Sequence, residues 1–182
     1  SFVFQQPVLL PWYTAQQNVE LPLRLSGVPR PRRREVSSDY LNLVGLSDFA
    51  GAYPWQLSGG MQQRVAIARA LATEPAVLLM DEPFGALDEI TRERLNGELL
   101  RIWTQRRTTV LFVTHSLMEA AYLADRVLIF SAQPGRLLDD VATGFARPRP
   151  PDLLERETFL RCVADLRRRL HQSYEHTREV SR

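Results

Sequence analysis

From Thr73 onward, short apolar runs alternate with amphipathic stretches, the pattern of a parallel sheet covered by helices. Ala76-Val77-Leu78-Leu79-Met80 has no polar residue on either face, which predicts a strand buried on both sides. Thr109-Val110-Leu111-Phe112-Val113-Thr114 and Arg126-Val127-Leu128-Ile129-Phe130 read the same way, and Phe2-Val3-Phe4 reads as a strand at the start. Residues 61–72 place Met61, Val65, Ala68 and Ala72 on one stripe. Ser58 as N-cap and Pro75 as a stop bound the helix this predicts. Ser116-Leu117-Met118-Glu119 has the form of a capping box and marks a sharp strand-to-helix turn. Gln133-Pro134-Gly135 predicts a turn leading to a short strand around residues 137–141. The prolines of Arg147-Pro148-Arg149-Pro150-Pro151 exclude a helix interior and predict a stiff linker over 147–151. Beyond it, Phe159, Val163, Leu166 and Leu170 form a stripe opposite Glu157, Arg161 and Arg168, so residues 152–182 read as an amphipathic docking helix and tail. The basic cluster at 30–34, broken by proline, reads as a solvated loop.

Composition narrows the field. A chain of 182 residues with 45% apolar content holds one globular unit plus a tail. The 23 basic side chains are nearly balanced by 21 acidic ones, leaving +2, which gives no general case for nucleic-acid binding. Cys162 is the only cysteine, which excludes an intrachain disulfide and a thiol cluster holding zinc or an iron–sulfur centre and fits a reducing compartment. No apolar run approaches the roughly 20 residues needed to span a bilayer, and Ser1-Phe2-Val3-Phe4-Gln5 lacks the features of a secretory signal. A membrane link would therefore pass through a protein partner.

Candidate chemistry lies in three places. Leu57-Ser58-Gly59-Gly60-Met61-Gln62-Gln63-Arg64 sits directly before a predicted helix. Two glycines there let backbone N–H groups approach an anion, and the helix N-terminus adds a favourable partial charge. Taken alone, Ser-Gly-Gly is more often an ordinary helix start. Asp81 and Glu82 end an apolar strand, where parallel sheets bind ligands; two adjacent carboxylates can divide metal holding from water activation, or simply cap the strand. His115 ends the next predicted strand, a position that also suits a structural hydrogen-bonding histidine.

Together, Leu57 to Arg64, Leu78-Leu79-Met80-Asp81-Glu82-Pro83, Phe84-Gly85-Ala86-Leu87-Asp88 and Thr114-His115 closely resemble the ABC ATPase family in order, spacing and wording. They are similar to the signature motif, the Walker B strand with its catalytic glutamate, the D-loop and the H-loop. Val3-Phe4-Gln5 with Leu9-Leu10-Pro11-Trp12 is similar to the Q-loop, Gln5 being the matching glutamine and Gln6 its alternative. The implied fold is an α/β P-loop NTPase of ABC type: a mostly parallel sheet flanked by helices over residues 1–146, with a helical signature subdomain at about 12–73. The P-loop strand and helix are expected to be missing.

The resemblance implies ATP and Mg2+ as cofactors and two subunits closing over two ATP molecules. Ser58, Gly59, Gly60 and Gln63 would face the nucleotide of the opposite subunit, and Asp88 would cross the interface. Asp81 and Gln5 would bear on the metal, Glu82 would polarise the attacking water, and His115 would contact the γ-phosphate. Leu10-Pro11-Trp12 with Asn18-Val19 is similar to importer subunits, and Asp125-Arg126-Val127 through Ser131-Ala132-Gln133-Pro134-Gly135-Arg136 is similar to the nitrate/sulfonate/taurine importer branch. The implied partners are a second copy, a transmembrane permease and, indirectly, an extracytoplasmic solute-binding protein, at the cytoplasmic face of a bacterial inner membrane; no nucleic acid is expected. Relatives acting on DNA or the ribosome carry long insertions or tandem ATPase domains, which are absent here, and a non-catalytic interaction module is the remaining alternative. Nothing matches Gly-x-x-x-x-Gly-Lys-[Ser/Thr], so the chain is expected to be a truncated piece that hydrolyses ATP hardly at all.

Overall fold

The computed structural model describes residues 1–85, 87–131 and 135–180, without the side chains of Arg106 and residues 173–180. Two compact units divide the chain, Ser1–Val113 and Thr114–Arg182. The Ala86 position and most of the predicted turn at 133–135 lie outside the described residues.

The first unit is built on β1 (Phe2–Val3), β2 (Val77–Asp81) and β3 (Thr109–Val113), all parallel and in the order β1-β2-β3. Parallel neighbours need long crossovers. Three helices supply the first, α1 (Ala15–Leu25), α2 (Arg30–Leu43) and α3 (Gly59–Leu71), and α4 (Glu89–Arg106) supplies the second. In register, Val3 pairs with Met80 and Met80 with Phe112, while Phe2 pairs with Leu79 and Leu79 with Leu111. The Val3, Leu78 and Met80 face is buried.

The other face departs from expectation. Phe2, Phe4, Val77, Leu79, Leu111 and Val113 are exposed, so β2 and β3 are not covered on both sides. The reason lies in the pleat: alternate side chains point to opposite faces, and the face of Val3, Leu78 and Met80 is the buried one. An all-apolar strand sequence specifies what both faces can bury, not what is there to cover them.

The helices form for local reasons. Thr14 caps α1 in a reciprocal box with Gln17, the two bonds measuring 3.2 and 2.9 Å. The basic cluster is helical rather than a loop: α2 begins at Arg30, with Pro29 and Pro31 at its start, where proline's fixed φ suits the first turn and its missing N–H costs nothing. The C-terminal carbonyls of α2 are met by side chains, Arg101 bonding Leu43 O at 2.5 Å and the Arg64 guanidinium Val44 O at 3.1 Å. Helix α3 begins two residues earlier than the sequence predicts and buries most of its circumference, including Gly60, Gln63, Val65, Ala66, Ile67, Ala68 and Leu71. Its many alanines allow α1, α2 and β1 to pack against it.

The second unit contains α5 (Leu117–Leu123), β4 (Arg126–Phe130), β5 (Leu137–Ala142) and α6 (Glu157–Val180). Strand β4 pairs antiparallel with β5. The six residues between them are too few for a parallel crossover, which needs a dozen or more. Phe159, Val163 and Leu166 of α6 are buried, and Phe159 meets Tyr122 edge-on at 6.5 Å. Residues 147–150 of the Pro-rich segment are non-helical and Pro151 opens a 3-10 helix, Pro151–Glu155; the segment is fastened by Arg149, whose side chain is 0% exposed.

Candidate functional site

Strand β2 delivers Asp81 opposite Val113 of β3, at the C-terminal end of the parallel sheet. Glu82 then leaves the strand at φ 41°, left-handed and uncommon outside glycine. Its N–H donates to Val113 O at 2.9 Å, its carbonyl accepts from the Gly85 N–H at 3.0 Å, and buried Phe84 anchors the turn. A methyl group placed on Gly85 would lie 3.1 Å from Gln5 Nε2 and 3.2 Å from Glu82 Oε2. The amide of Gln5 and the carboxylate of Glu82 therefore converge over a residue without a side chain. Sequence reasoning gives Gly85 no role of its own and places it only within the Phe84-Gly85-Ala86-Leu87-Asp88 block.

The second cluster is the start of α3. Ser58 is the N-cap, its hydroxyl accepting from the Met61 N–H at 3.3 Å, and Ser58 and Gly59 are exposed. A methyl group on Gly60 would lie 3.3 Å from Thr91 Cγ2, so glycine lets this helix tip lie against the start of α4. Asp88 caps α4, accepting from the Thr91 N–H at 2.9 Å, and that bond holds its carboxyl below the ordinary aspartate range. The Ser58-Gly59-Gly60 tip and the Asp88 turn are thus neighbours. Gln63, expected to face a nucleotide, instead points inward: it is 2% exposed and donates to Phe4 O at 3.1 Å. Position 63 lies more than one turn into a buried helix, too deep to present its amide at the tip.

His115 belongs to the second unit and is exposed. Its two neighbours are fixed by one hydroxyl. Thr114 Oγ1 accepts from the Ser116 N–H at 2.9 Å and donates to Glu119 Oε2 at 2.5 Å, while Ser116 Oγ accepts from the Glu119 N–H at 3.3 Å. The predicted capping box is therefore half altered. Glu119 reaches the hydroxyl of Thr114, which has already taken up the Ser116 N–H.

Comparison with known proteins decides the family. Residues 1–85 match the family model described as ABC transporter. The chain is 51% identical over 145 residues to the taurine import ATP-binding protein TauB of Rhizobium johnstonii, covering 80% of this chain and 55% of that protein. It is 52% identical over 137 residues to the nitrate import ATP-binding protein NrtD of Synechocystis, covering 75% and 52%.

The chain belongs to the ABC transporter family.

A solved ABC structure, described as the dimeric post-hydrolysis state of the ATP-binding cassette MJ0796 bound to ADP and Pi, superposes with a TM-score of 0.64 at 40% identity, over 79% of this chain and 63% of that one. The α/β fold is thus that of an ABC ATPase cassette. The chain spans about half the length of the curated ABC relatives it matches.

Two chemical facts bear on what an ABC site here can hold. All 23 basic residues are arginine, so the lysine of a phosphate-binding loop is not among these residues. Among the described residues no three His, Cys, Asp or Glu side chains converge on a metal position. Asp81, Glu82 and Gln5 nonetheless offer the oxygen donors Mg2+ favours, and that ion characteristically takes one or two carboxylates and completes its shell with phosphate and water. The donor set fits Mg2+ carried in with a nucleotide. No helix among the described residues is long and apolar enough to cross a membrane.

The hydroxyl under His115 gives a direct prediction. Thr114→Val keeps the shape, removes both bonds, and is expected to lower unfolding free energy by about 1–3 kcal/mol in denaturant titrations, with Thr114→Ser near wild type. The chain has three histidines, so the His115 ring resonances can be followed by NMR and should shift in Thr114→Val. Unmoved resonances would remove Thr114 from any role in placing His115.

Proposed function

We propose that the full-length protein is the ATP-binding subunit of an importer, which couples hydrolysis of Mg-ATP to uptake of a small solute such as taurine, a sulfonate or nitrate. The observation that carries this reading is the convergence of Gln5 and Glu82 over Gly85, beside Asp81 at the end of a parallel strand. Identity near 50% to taurine and nitrate import subunits supports the solute class.

In this reading Glu82 would accept a proton from the attacking water, Asp81 and Gln5 would hold Mg2+, and His115 would meet the charge that develops on the phosphate. Mg2+ when bound would neutralise phosphate charge. Ser58, Gly59 and Gly60 act on the nucleotide of a second copy, because an exposed helix tip offers N–H groups to an anion held elsewhere. Gln63 acts from behind. The partners are a second copy and a transmembrane permease, with a solute-binding protein beyond it, and the subunit works peripherally at the cytoplasmic face of the membrane. The 182 residues alone leave ATP without a phosphate lysine and are inactive by themselves.

The test is reconstitution of the full-length protein with its permease in liposomes. ATP hydrolysis should rise when taurine, a sulfonate or nitrate is supplied with its binding protein, and the 182-residue chain should release no phosphate above background. Association with nucleic acid or ribosomes and no permease-dependent turnover would overturn the reading.

A further inference from the structure

We infer that Arg69 and Gln63 of α3 are positioning residues for Gln5, a clamp that holds residues 4–8 in a strained path. The inference rests on the ATPase reading only for its kinetic readout. Gln63 Nε2 donates to Phe4 O at 3.1 Å, immediately before Gln5. Arg69 closes the other side with a fork, Nη1 donating to Val8 O at 2.8 Å and Nη2 to Pro7 O at 2.9 Å.

The spacing of the handholds suits the segment. Six residues of α-helix rise about 9 Å, and three to four residues of extended chain cover roughly 10–13 Å. A single rigid helix can therefore grip both ends of the stretch that carries Gln5.

Strain gives the clamp something to do. Val8 lies at φ 45°, in the left-handed region, where a β-branched residue is a true outlier. Such backbone persists only where its surroundings over-determine it. The two carbonyls gripped by Arg69 belong to Val8 itself and to the residue before it, so the guanidinium fixes the peptide planes on both sides of the strained φ. Its geometry is specific to arginine, since a lysine ammonium cannot present two parallel donors. Burial lowers the Arg69 pKa, as expected of a guanidinium facing carbonyl dipoles rather than water.

Downstream, Asn18 completes the hold. Its side chain is fully buried, accepts from the Leu10 N–H at 2.8 Å and donates to Leu10 O at 3.2 Å. Because the tip of α3 is Ser58-Gly59-Gly60, one helix ties the part of the site proposed to act on a second copy to the glutamine acting in its own.

The test uses Val8 to separate positioning from general stability. In the full-length protein, Arg69→Lys should lower kcat about tenfold with KM for ATP within about twofold, the signature of a misplaced group rather than lost binding. Val8→Gly alone should stay within about twofold of wild type, since glycine adopts φ near 45° freely. Combined with Arg69→Lys it should recover most of the loss. In parallel, the Gln5 side-chain amide resonances of the 182-residue chain should move in Arg69→Lys and return in the double variant.

If Arg69→Lys does not fold, Gln63→Met, which preserves burial, must show the same kcat loss and the same movement of the Gln5 resonances. An unmoved Gln5 amide, or a loss that Val8→Gly leaves untouched, overturns the clamp. Absence of ATP turnover in the wild-type full-length protein, with the resonances behaving as described, would instead overturn the ATPase reading and leave the clamp standing.

Discussion

Glu82→Gln in the full-length protein should reduce ATP turnover by about 10²–10⁴-fold while leaving ATP binding intact, the loss typical of a general base. The substitution isolates one property. Glutamine keeps the length and the polar tip of Glu82 and removes its charge and basicity, so the convergence with Gln5 over Gly85 survives without the group that takes a proton. Steady-state phosphate release measures the rate, and binding of a fluorescent ATP analogue measures the retained affinity. A dimer that forms on adding Mg-ATP should persist longer in the variant, because the nucleotide joining the copies is no longer consumed. A second substitution uses the backbone. Glu82 stands at φ 41°, a conformation that costs most non-glycine residues of order 1–3 kcal/mol, so Glu82→Gly should abolish turnover without destabilising the fold. Strain retained at the residue proposed to take the proton is what a catalytic assignment expects. Turnover within a few-fold of wild type in Glu82→Gln would remove Glu82 from the chemistry.

The parts of this site legible in the sequence are those set by local chain chemistry. Ser58 as a cap, Asp81 and Glu82 at a strand end, and the sharp turn after Thr114 depend on residues within about five positions, and each takes its place in the structure. What could not be read depends on distant residues or on local groups that compete for one partner. Gln63 belongs to a block whose wording suggests ligand contact, yet its partner is Phe4, 59 residues away, and only the packing of α3 against β1 reveals it. Similarly, Glu119 has the spacing of a box closed on Ser116, but the hydroxyl of Thr114 competes for both groups and wins. The exposed face of β2 makes the same point, since Val77 and Leu79 are as apolar as Leu78 and Met80 and differ only in what lies across from them.

Arg149→Met should be the most damaging substitution for the second unit, lowering its stability by about 3–5 kcal/mol. Nη1 of Arg149 donates to Tyr122 O at 2.7 Å and Ala124 O at 2.9 Å, and Nη2 to Asp125 Oδ1 at 2.9 Å, Phe145 O at 3.2 Å and Thr143 Oγ1 at 3.3 Å. One guanidinium thus joins the end of α5 to the chain leaving β5, while the hydroxyl of Tyr122 donates to Arg149 O at 3.3 Å and its ring packs on Phe159 of α6. Methionine fills similar volume and offers no donor, so carbonyls turned away from water would be left unpaired. The ion pair itself is the smaller part. Asp125 is 62% exposed and regains water readily, so Asp125→Asn should cost no more than about 1 kcal/mol. Arg149→Lys should fall between, with one ammonium unable to span acceptors on both sides. All three tryptophans, Trp12, Trp55 and Trp103, lie in the first unit, so their fluorescence reports unfolding there, and hydrogen exchange across α5, β4 and β5 reports the second unit. Arg149→Met should strip protection from the second set of amides and leave the tryptophan transition within experimental scatter of wild type. Equal losses from Arg149→Met and Asp125→Asn would mean that charge pairing, not carbonyl bonding, fastens this unit.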